Sequence, residues 1–594
     1  MNGPALSIIN PTNRYELSMR FFKKKSISGI GVQKILTRTA GVFLCKPAAA
    51  FVITILIFTA GLPLDVLPEA KKEAPYIFFS HSDFTSLGPD ERLSWINSLS
   101  REPSSELIRI TEPLPDTILP PDMASPVFVW EDTAQSSAWL VTLQKDEKII
   151  LRGVMNTQWW IPEKDIWDRV KASAGPGSFE LIIEGIGGWA GREVISQGRS
   201  SLNFSRDRVE ARLMFMQKPL PFLEAKNHPE KTSLLVGKLD SYQPPEPLLS
   251  NPPICANCHS YSRDGDFMTL DTDYKGDKGA FVFTPMDEDI KINSSLVFSW
   301  NALAPREPAA YHMGLFAQVS PDGRFIAGTV NETSVFVMMD DVYFSQLFFP
   351  ATGQIGIFDT RTKAFSLLPG ADLEDRVQTA PAWRPDGEAL AFSSVSTNPE
   401  LIQKVVDKVI LRESPKQTIH ELNQKYPVQF DIYTLPFDKG KGGVAEPLPG
   451  ASQNGVSNYF PRYSPDGRWI VFAQSPTGLV LQPGSRLVLI PAKGGEARPL
   501  TSNQAVMNSW HSWSPNSKWL VFTCKANSPY TELYLTHIDE KGDSSPALRL
   551  FRFSSKDLAA MVPEFIPRTG PLTKKIAFDP EEEAKGKSIA IDGR

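Results

Sequence analysis

The chain has 594 residues, too many for one ordinary core, so several domains, or one large repeat domain plus a smaller one, are expected. A hydrophobic content of 41% and a charged content of 22% exclude wholesale disorder, and a formal net charge of −5 gives no basis for nucleic-acid binding. Fifty prolines and 39 glycines, scattered as turns, favour a loop-rich, all-β protein, and four cysteines are too few for a disulfide framework.

The first 46 residues form a basic segment: Arg14, Arg20, Lys23, Lys24, Lys25, Lys34, Arg38 and Lys46 face a single acid, Glu16. Residues 47–67 follow as a membrane anchor or signal peptide, with no charge from Ala48 to Leu64. Seventeen residues at about 1.5 Å each cover roughly 26 Å, enough for a thin bilayer. Basic residues before the span hold the N-terminus in the cytoplasm and send the rest across the membrane. A cleaved signal with a long basic region is the alternative. Either way the bulk of the chain is expected outside the cytoplasm, tethered to the cytoplasmic membrane or secreted.

Residues 68–122 read as a linker with a short helix around "GPDERLSWINSLS". From 123 to 220 the pattern becomes strands about 8–12 residues apart, which predicts a small β-sandwich of immunoglobulin or fibronectin type III character. Its tryptophans at 130, 139, 159, 160 and 167 are assigned to core packing rather than to a carbohydrate face.

The remainder repeats. "CHSYSRDGDFMTLD", "FAQVSPDGRFIAGT", "APAWRPDGEALAFSS", "FPRYSPDGRWIVFAQ" and "WHSWSPNSKWLVFTC" share one turn, flanked by a short strand and an alternating apolar strand. Proline presets φ, and Asp-Gly or Asn-Ser supplies the tight turn, so each segment is a hairpin. A second pair of strand signatures follows each, giving four strands per unit. The turns are spaced by 58, 64, 80 and 50 residues, the long unit holding an insertion from "STNPELIQ" onward that reads as helical. A sixth unit is expected to be split, with a hairpin from residues 562–580 joined to strands from residues 231–250, so that both ends close one ring. The propeller therefore spans 231–580 and has six blades, with 581–594 as a tail; five blades plus a cap is the alternative.

The recurrent S-P-D-G-(R/K) pattern, running into an apolar strand, resembles the TolB-type propeller repeats of exported bacterial proteins. The resemblance covers roughly residues 231–580 and is weaker at "SRDG" and "SPNS". It implies a six-bladed TolB-like propeller and, from the way such propellers work, a role in binding partners. The preceding sandwich and the C-x-x-C-H described next depart from the Tol protein. "CANCHSYSRDG" and "NSWHSWSPNSKWLVF" together resemble a subgroup of TolB-like proteins with a cytochrome c signature, which implies haem but no settled role.

Cys255, Cys258 and His259 form C-x-x-C-H, whose chance occurrence in such a composition is about 3 in 10,000. Haem c attachment needs two thiols, one for each vinyl group, and a histidine as proximal iron ligand, and the motif supplies all three. Attachment after export agrees with the N-terminal signal. Zinc would want a second ligand pair, a thioredoxin-like dithiol would want a βαβ setting, and a structural disulfide is the third alternative. For the distal iron position the repeat alignment points first to His511, because His259 and His511 each stand three residues before the turn. Both are then expected to face one central funnel. His312 and Met313 come second, and a five-coordinate iron is the alternative. "DTDYKGDKG" is assigned to a solvated turn rather than a calcium loop, and Asp340-Asp341 to a turn.

The expected function is electron transfer or redox and ligand sensing at the cell envelope, with one covalent haem c and a redox or envelope partner. The alternative is a non-enzymatic interaction scaffold whose haem is structural or absent. If the chain is an enzyme at all, a haem-dependent oxidoreductase is expected.

Overall fold

The computed structural model describes residues 76–79, 88–101, 106–187, 192–250, 252, 256–304, 313–338, 341–344, 346–406, 418–478, 482–567 and 573–579. The predicted anchor at 47–67 lies outside them, and among the described residues no helix is long and apolar enough to cross a membrane.

The SPDG turns show why the repeat folds as it does. In the second repeat the Ser320 hydroxyl donates to Asp322 Oδ1 at 2.6 Å and accepts the Phe325 amide at 2.9 Å. Gly323 N donates to Ser320 O at 2.9 Å, and Gly323 takes a φ of 72°. A side chain at that φ is strained, which is why glycine recurs there. The "SPNS" turn carries Ser517 at φ 62° instead, with Asn516 Oδ1 accepting from Ser514 as Asp322 accepts from Ser320. The hydroxyl, the Asp or Asn side chain and the positive-φ residue thus act on neighbours within five residues, which sets these turns locally.

Each hairpin opens a four-stranded antiparallel sheet, and there are six such sheets among the described residues. The first strands of sheets one to five are Ala256–Tyr261, Met313–Val319, Arg376–Trp383, Ser457–Tyr463 and Ser509–Trp513. The sixth sheet begins with Ala559–Ile566. These six strands touch one another in that order, and the sixth touches the first. A closed ring of four-stranded sheets around an axis is the architecture of a β-propeller.

The closing sheet differs in its members from the sequence expectation. Ala559–Ile566 pairs with Arg212–Lys218, followed by Ser233–Lys238 and Glu246–Ser250. Arg212–Lys218, which the sequence pattern places in the sandwich, is a propeller strand. Lys575–Phe578, expected to complete a hairpin with 562–566, instead pairs in parallel with Asp289–Ile292 beside the first sheet. Three strands from before the repeats and one from after them thus close the ring, removing the free edge an open sheet would present. The inserted segment is helical at Pro399–Val406 and Ile419–Lys425, as expected.

The smaller domain has a six-stranded mixed sheet and a three-stranded sheet. It recruits Tyr76–Phe79, Ile108–Glu112 and Ile118–Leu119, which the sequence had placed in the linker. Trp130, Trp139, Trp160 and Trp167 are buried in its core, in keeping with the packing assignment. The linker helix is Pro89–Asn97; it buries Trp95 and Ile96 against Ala138, Leu140 and Ile186. One apolar cluster runs from this domain into the propeller through Trp519, Leu533 and Leu535 of the fifth sheet and Phe215, Ala560 and Phe565 of the sixth. Polar contacts bind the same junction: His537 Nε2 to Asp207 Oδ2 at 2.7 Å, and Arg549 to Glu112 at 2.9 Å and Glu532 at 3.3 Å.

Candidate functional site at the propeller axis

Every first strand carries a register shift near its middle, where one extra residue bulges out of the ladder. In five sheets the residue four before the turn has a positive φ: Phe316 (60°), Ala380 (54°), Phe460 (59°), Trp510 (38°) and Val562 (48°). A bulge re-aims a side chain. Here it turns these residues onto the axis, where they pack into one buried cluster. Phe460 meets Phe316 edge-on at 5.6 Å, although their sheets are separated by the third, so the contact runs through the axis. Phe460 also meets Trp510 at 5.1 Å. The centre of the ring is therefore filled by an aromatic plug.

Adjacent sheets are stitched at the same level. The amides of Phe316 and Ala317 donate to Asp271 of the first sheet at 2.6 and 3.2 Å. Ala380 N donates to Thr329 Oγ1 at 3.2 Å, and Phe460 N to Ser393 Oγ at 3.2 Å. Three of the five strained bulge amides, those of Phe316, Ala380 and Phe460, thus find an acceptor on the preceding sheet. Burial pushes the Asp271 carboxyl up to about 7, the two amide bonds opposing the shift.

Above the plug, on the side of the SPDG turns, lies a cavity of about 310 Å³ lined by residues of all six sheets. Two residues before each turn stand Ser260, Gln318, Ala382, Arg462, Ser512 and Glu564, which make its floor. Tyr261, Trp383, Tyr463, Trp513 and Phe565 make its walls. Arg462 lies over the Phe460 ring, 4.2 Å from guanidinium carbon to centroid. Its Nη2 is 3.7 Å from Glu564 Oε1, while Ser512 Oγ donates to Glu564 Oε2 at 2.5 Å. Burial pushes the Arg462 guanidinium below its ordinary value, with Glu564 opposing; burial raises Glu564, with Arg462 opposing. The Tyr463 phenol is pushed up to about 12 by burial and stays neutral.

The sequence-predicted site residues fall elsewhere. Cys255 and His312 lie outside the described residues. Met313 begins the second sheet's first strand and pairs with Glu332; its side chain is among those not described. Cys258 stands in the first sheet at the plug position and belongs to the axial apolar cluster. His259 and His511 do occupy equivalent places, but the expectation that both face the funnel is corrected for His511. Its Nε2 lies 3.2 Å from Val471 O of the fourth sheet, so the ring sits between two sheets. The reason is the pleat: past the bulge, alternate side chains go to opposite faces of the sheet, His511 toward the fourth sheet and Ser512 toward Glu564 of the sixth. Burial pushes the His511 imidazole down to about 3, Arg462 adding to the shift, which leaves it neutral.

This arrangement also tests the haem expectation. His259 is 1% exposed and edge-on to Tyr261 at 6.2 Å, and Cys258 is 7% exposed. A proximal imidazole and an attachment thiol must both present themselves to one porphyrin, whereas here both are already covered by protein. The described part of the motif, as packed, does not fit a haem.

Arg462, Glu564, Trp383 and Trp513 were not singled out in the sequence. A signal was present: the position two before the turn is polar in every repeat but the third, and the residue after it is aromatic in every repeat but the second.

No protein-family model matches the chain, and no curated protein matches it. Among solved structures it is similar to TolB from Acinetobacter baumannii, with 14% identity over 68% of this chain and 86% of that one, at a TM-score of 0.37. A putative TolB from Agrobacterium tumefaciens shares 17% identity over 60% of this chain and 98% of its own, at a TM-score of 0.30. A putative 6-phosphogluconolactonase from Bacteroides uniformis shares 10% over 60% and 99%, at 0.34. The propeller assignment itself rests on the ring of sheets.

Proposed function

We propose that the protein is an exported, envelope-located, six-bladed TolB-like propeller that acts as a non-enzymatic binding module, its central cavity taking a small ligand. One observation carries the reading: all six sheets converge on one concavity with aromatic walls and a polar, charged floor, the usual make-up of a ligand site. The basic, then apolar N-terminal sequence supports export and tethering to the cytoplasmic membrane. Binding in the cavity agrees with the ligand-sensing part of the sequence expectation. The test is a thermal-shift screen of small aromatic and carboxylic metabolites on the full-length protein in detergent. Ala382→Tyr, which fills the floor from the third sheet, should abolish every hit. Hits shared by the native protein and a folded Ala382→Tyr variant would place binding elsewhere and sink the reading.

A second reading, covalent haem c with a redox or electron-transfer role, is favoured by the C-x-x-C-H sequence itself. It requires the segment through Cys258 and His259 to leave the first sheet, because both side chains are covered there. A pyridine haemochrome spectrum of protein produced with cytochrome c maturation decides it. A covalent haem signal lost in Cys258→Ala would establish attachment, and reversible reduction of that haem the redox role; apoprotein that folds and binds ligand would remove the reading.

A further inference from the structure

We propose that the cavity floor is a carboxylate subsite, in which Arg462 receives the acid group of a small molecule whose aromatic or apolar body lies between Trp383, Trp513 and Tyr463. This rests on the reading of the cavity as a ligand site and names the ligand's chemistry.

The guanidinium is the argument. Its side chain is only 12% exposed, yet its one ion-pair contact among the described residues, to Glu564, is 3.7 Å long, beyond hydrogen-bonding distance. Nε and Nη1 are buried with no hydrogen-bond partner among the described residues. A cation withdrawn from water and left with unused donors is costly, and such groups are normally paired. Glu564 does not complete the pairing, because its Oε2 is engaged by Ser512 at 2.5 Å. A carboxylate makes strong charged hydrogen bonds to an arginine, and here it meets Nη2, the guanidinium nitrogen that is not among the fully buried, unpartnered atoms. A phosphate dianion fits less well, since the nearby Glu564 carboxyl repels a second negative charge more than a single one.

Size and walls narrow the class. About 310 Å³ is at the lower end of small-molecule sites, room for one aromatic amino-acid-sized acid rather than a length of folded chain. Indole and phenol rings on three sheets offer flat apolar faces for stacking such a body. The same chemistry could come from a free metabolite or from the C-terminal residue of a peptide.

Calorimetry on the full-length protein in detergent tests this with matched pairs. The probes are phenylacetate and phenylacetamide, N-acetylphenylalanine and its amide, and the tetrapeptide Ala-Ala-Ala-Phe with a free or amidated C-terminus. Each acid should bind at least about tenfold more tightly than its amide, the cost of losing a charged hydrogen-bonded partner. Arg462→Gln should erase the preference, the acids losing at least about tenfold in affinity. A tighter tetrapeptide than small acid identifies a chain terminus as the source, and the reverse a free metabolite. Amides binding within about twofold of the acids would overturn the carboxylate subsite while leaving the ligand site standing. No binding by any probe would overturn the subsite, and the thermal-shift screen then judges the broader reading. Should Arg462→Gln fail to fold, the acid-to-amide ratio of the native protein decides by itself.

Discussion

Phe460 offers the sharpest check on the plugged axis, through two substitutions whose order of stability is unusual. The side chain is buried, in contact with Phe316 at 5.6 Å, Trp510 at 5.1 Å and the Arg462 guanidinium at 4.2 Å. Phe460→Ala removes those contacts and leaves a cavity that the neighbouring sheets hold open, so a loss of about 3–5 kcal/mol is expected. Phe460→Gly removes one methyl more, worth about 0.8 kcal/mol, and adds unfolded-chain freedom worth about 0.4–1 kcal/mol. At an ordinary strand position glycine would therefore be the worse replacement by more than 1 kcal/mol. Here φ is 59°, and relief of a left-handed backbone returns about 1–2 kcal/mol to glycine alone. The two variants should thus lie within about 1 kcal/mol of each other, both well below the native protein. Guanidinium unfolding followed by tryptophan fluorescence measures this. A loss under 1 kcal/mol for Phe460→Ala would refute the plug, and Phe460→Gly falling 2 kcal/mol below Phe460→Ala would refute the bulge argument.

Two further perturbations probe the ring and its junction. Glu332 is fully buried, accepts the Ser334 hydroxyl at 2.5 Å, and is pushed by burial from an ordinary 4.5 up to about 8. The folded state then holds a proton that the unfolded chain has released, so this contribution is complete below about 4.5 and is lost as pH rises towards 8. Glu332→Gln should raise the melting temperature relative to native protein at pH 8 far more than at pH 5; an equal difference at both would contradict the buried-acid account. Arg549→Met strands the Glu112 and Glu532 carboxylates at the junction of the two domains, and about 3–5 kcal/mol should be lost. Limited proteolysis should then cut between the domains at least tenfold faster, and an unchanged rate would show that the apolar cluster holds the junction unaided.

Legibility in the sequence followed the range of the interactions. The five turns were readable because Ser, Pro, Asp and Gly act within five residues, as Ser320, Asp322 and Gly323 do. The linker helix was readable for the same reason: Pro89 opens it and Glu91 caps the Gly88 amide at 2.7 Å. Arg212–Lys218 was misplaced because a strand of the sandwich and a strand of the propeller share one alternating pattern. Only its pairing with Ala559–Ile566, hundreds of residues away, tells them apart. Lys575–Phe578 was misplaced likewise, since nothing local distinguishes an antiparallel return from a parallel addition to another sheet.

The site divides in the same way. The repeat alignment alone put His259 and His511 at one position, and the coordinates keep that equivalence. Which way that position points was decided by the bulge, a feature with no local sequence mark beyond the strain accepted at Phe316, Ala380, Phe460, Trp510 and Val562. Turn chemistry, strand alternation and repeat length, all short-range, were determined by the sequence. Ring closure, the filled axis and the meeting of Arg462 with Glu564 arise only when six sheets converge, because each depends on side chains that share no neighbourhood until the chain has folded.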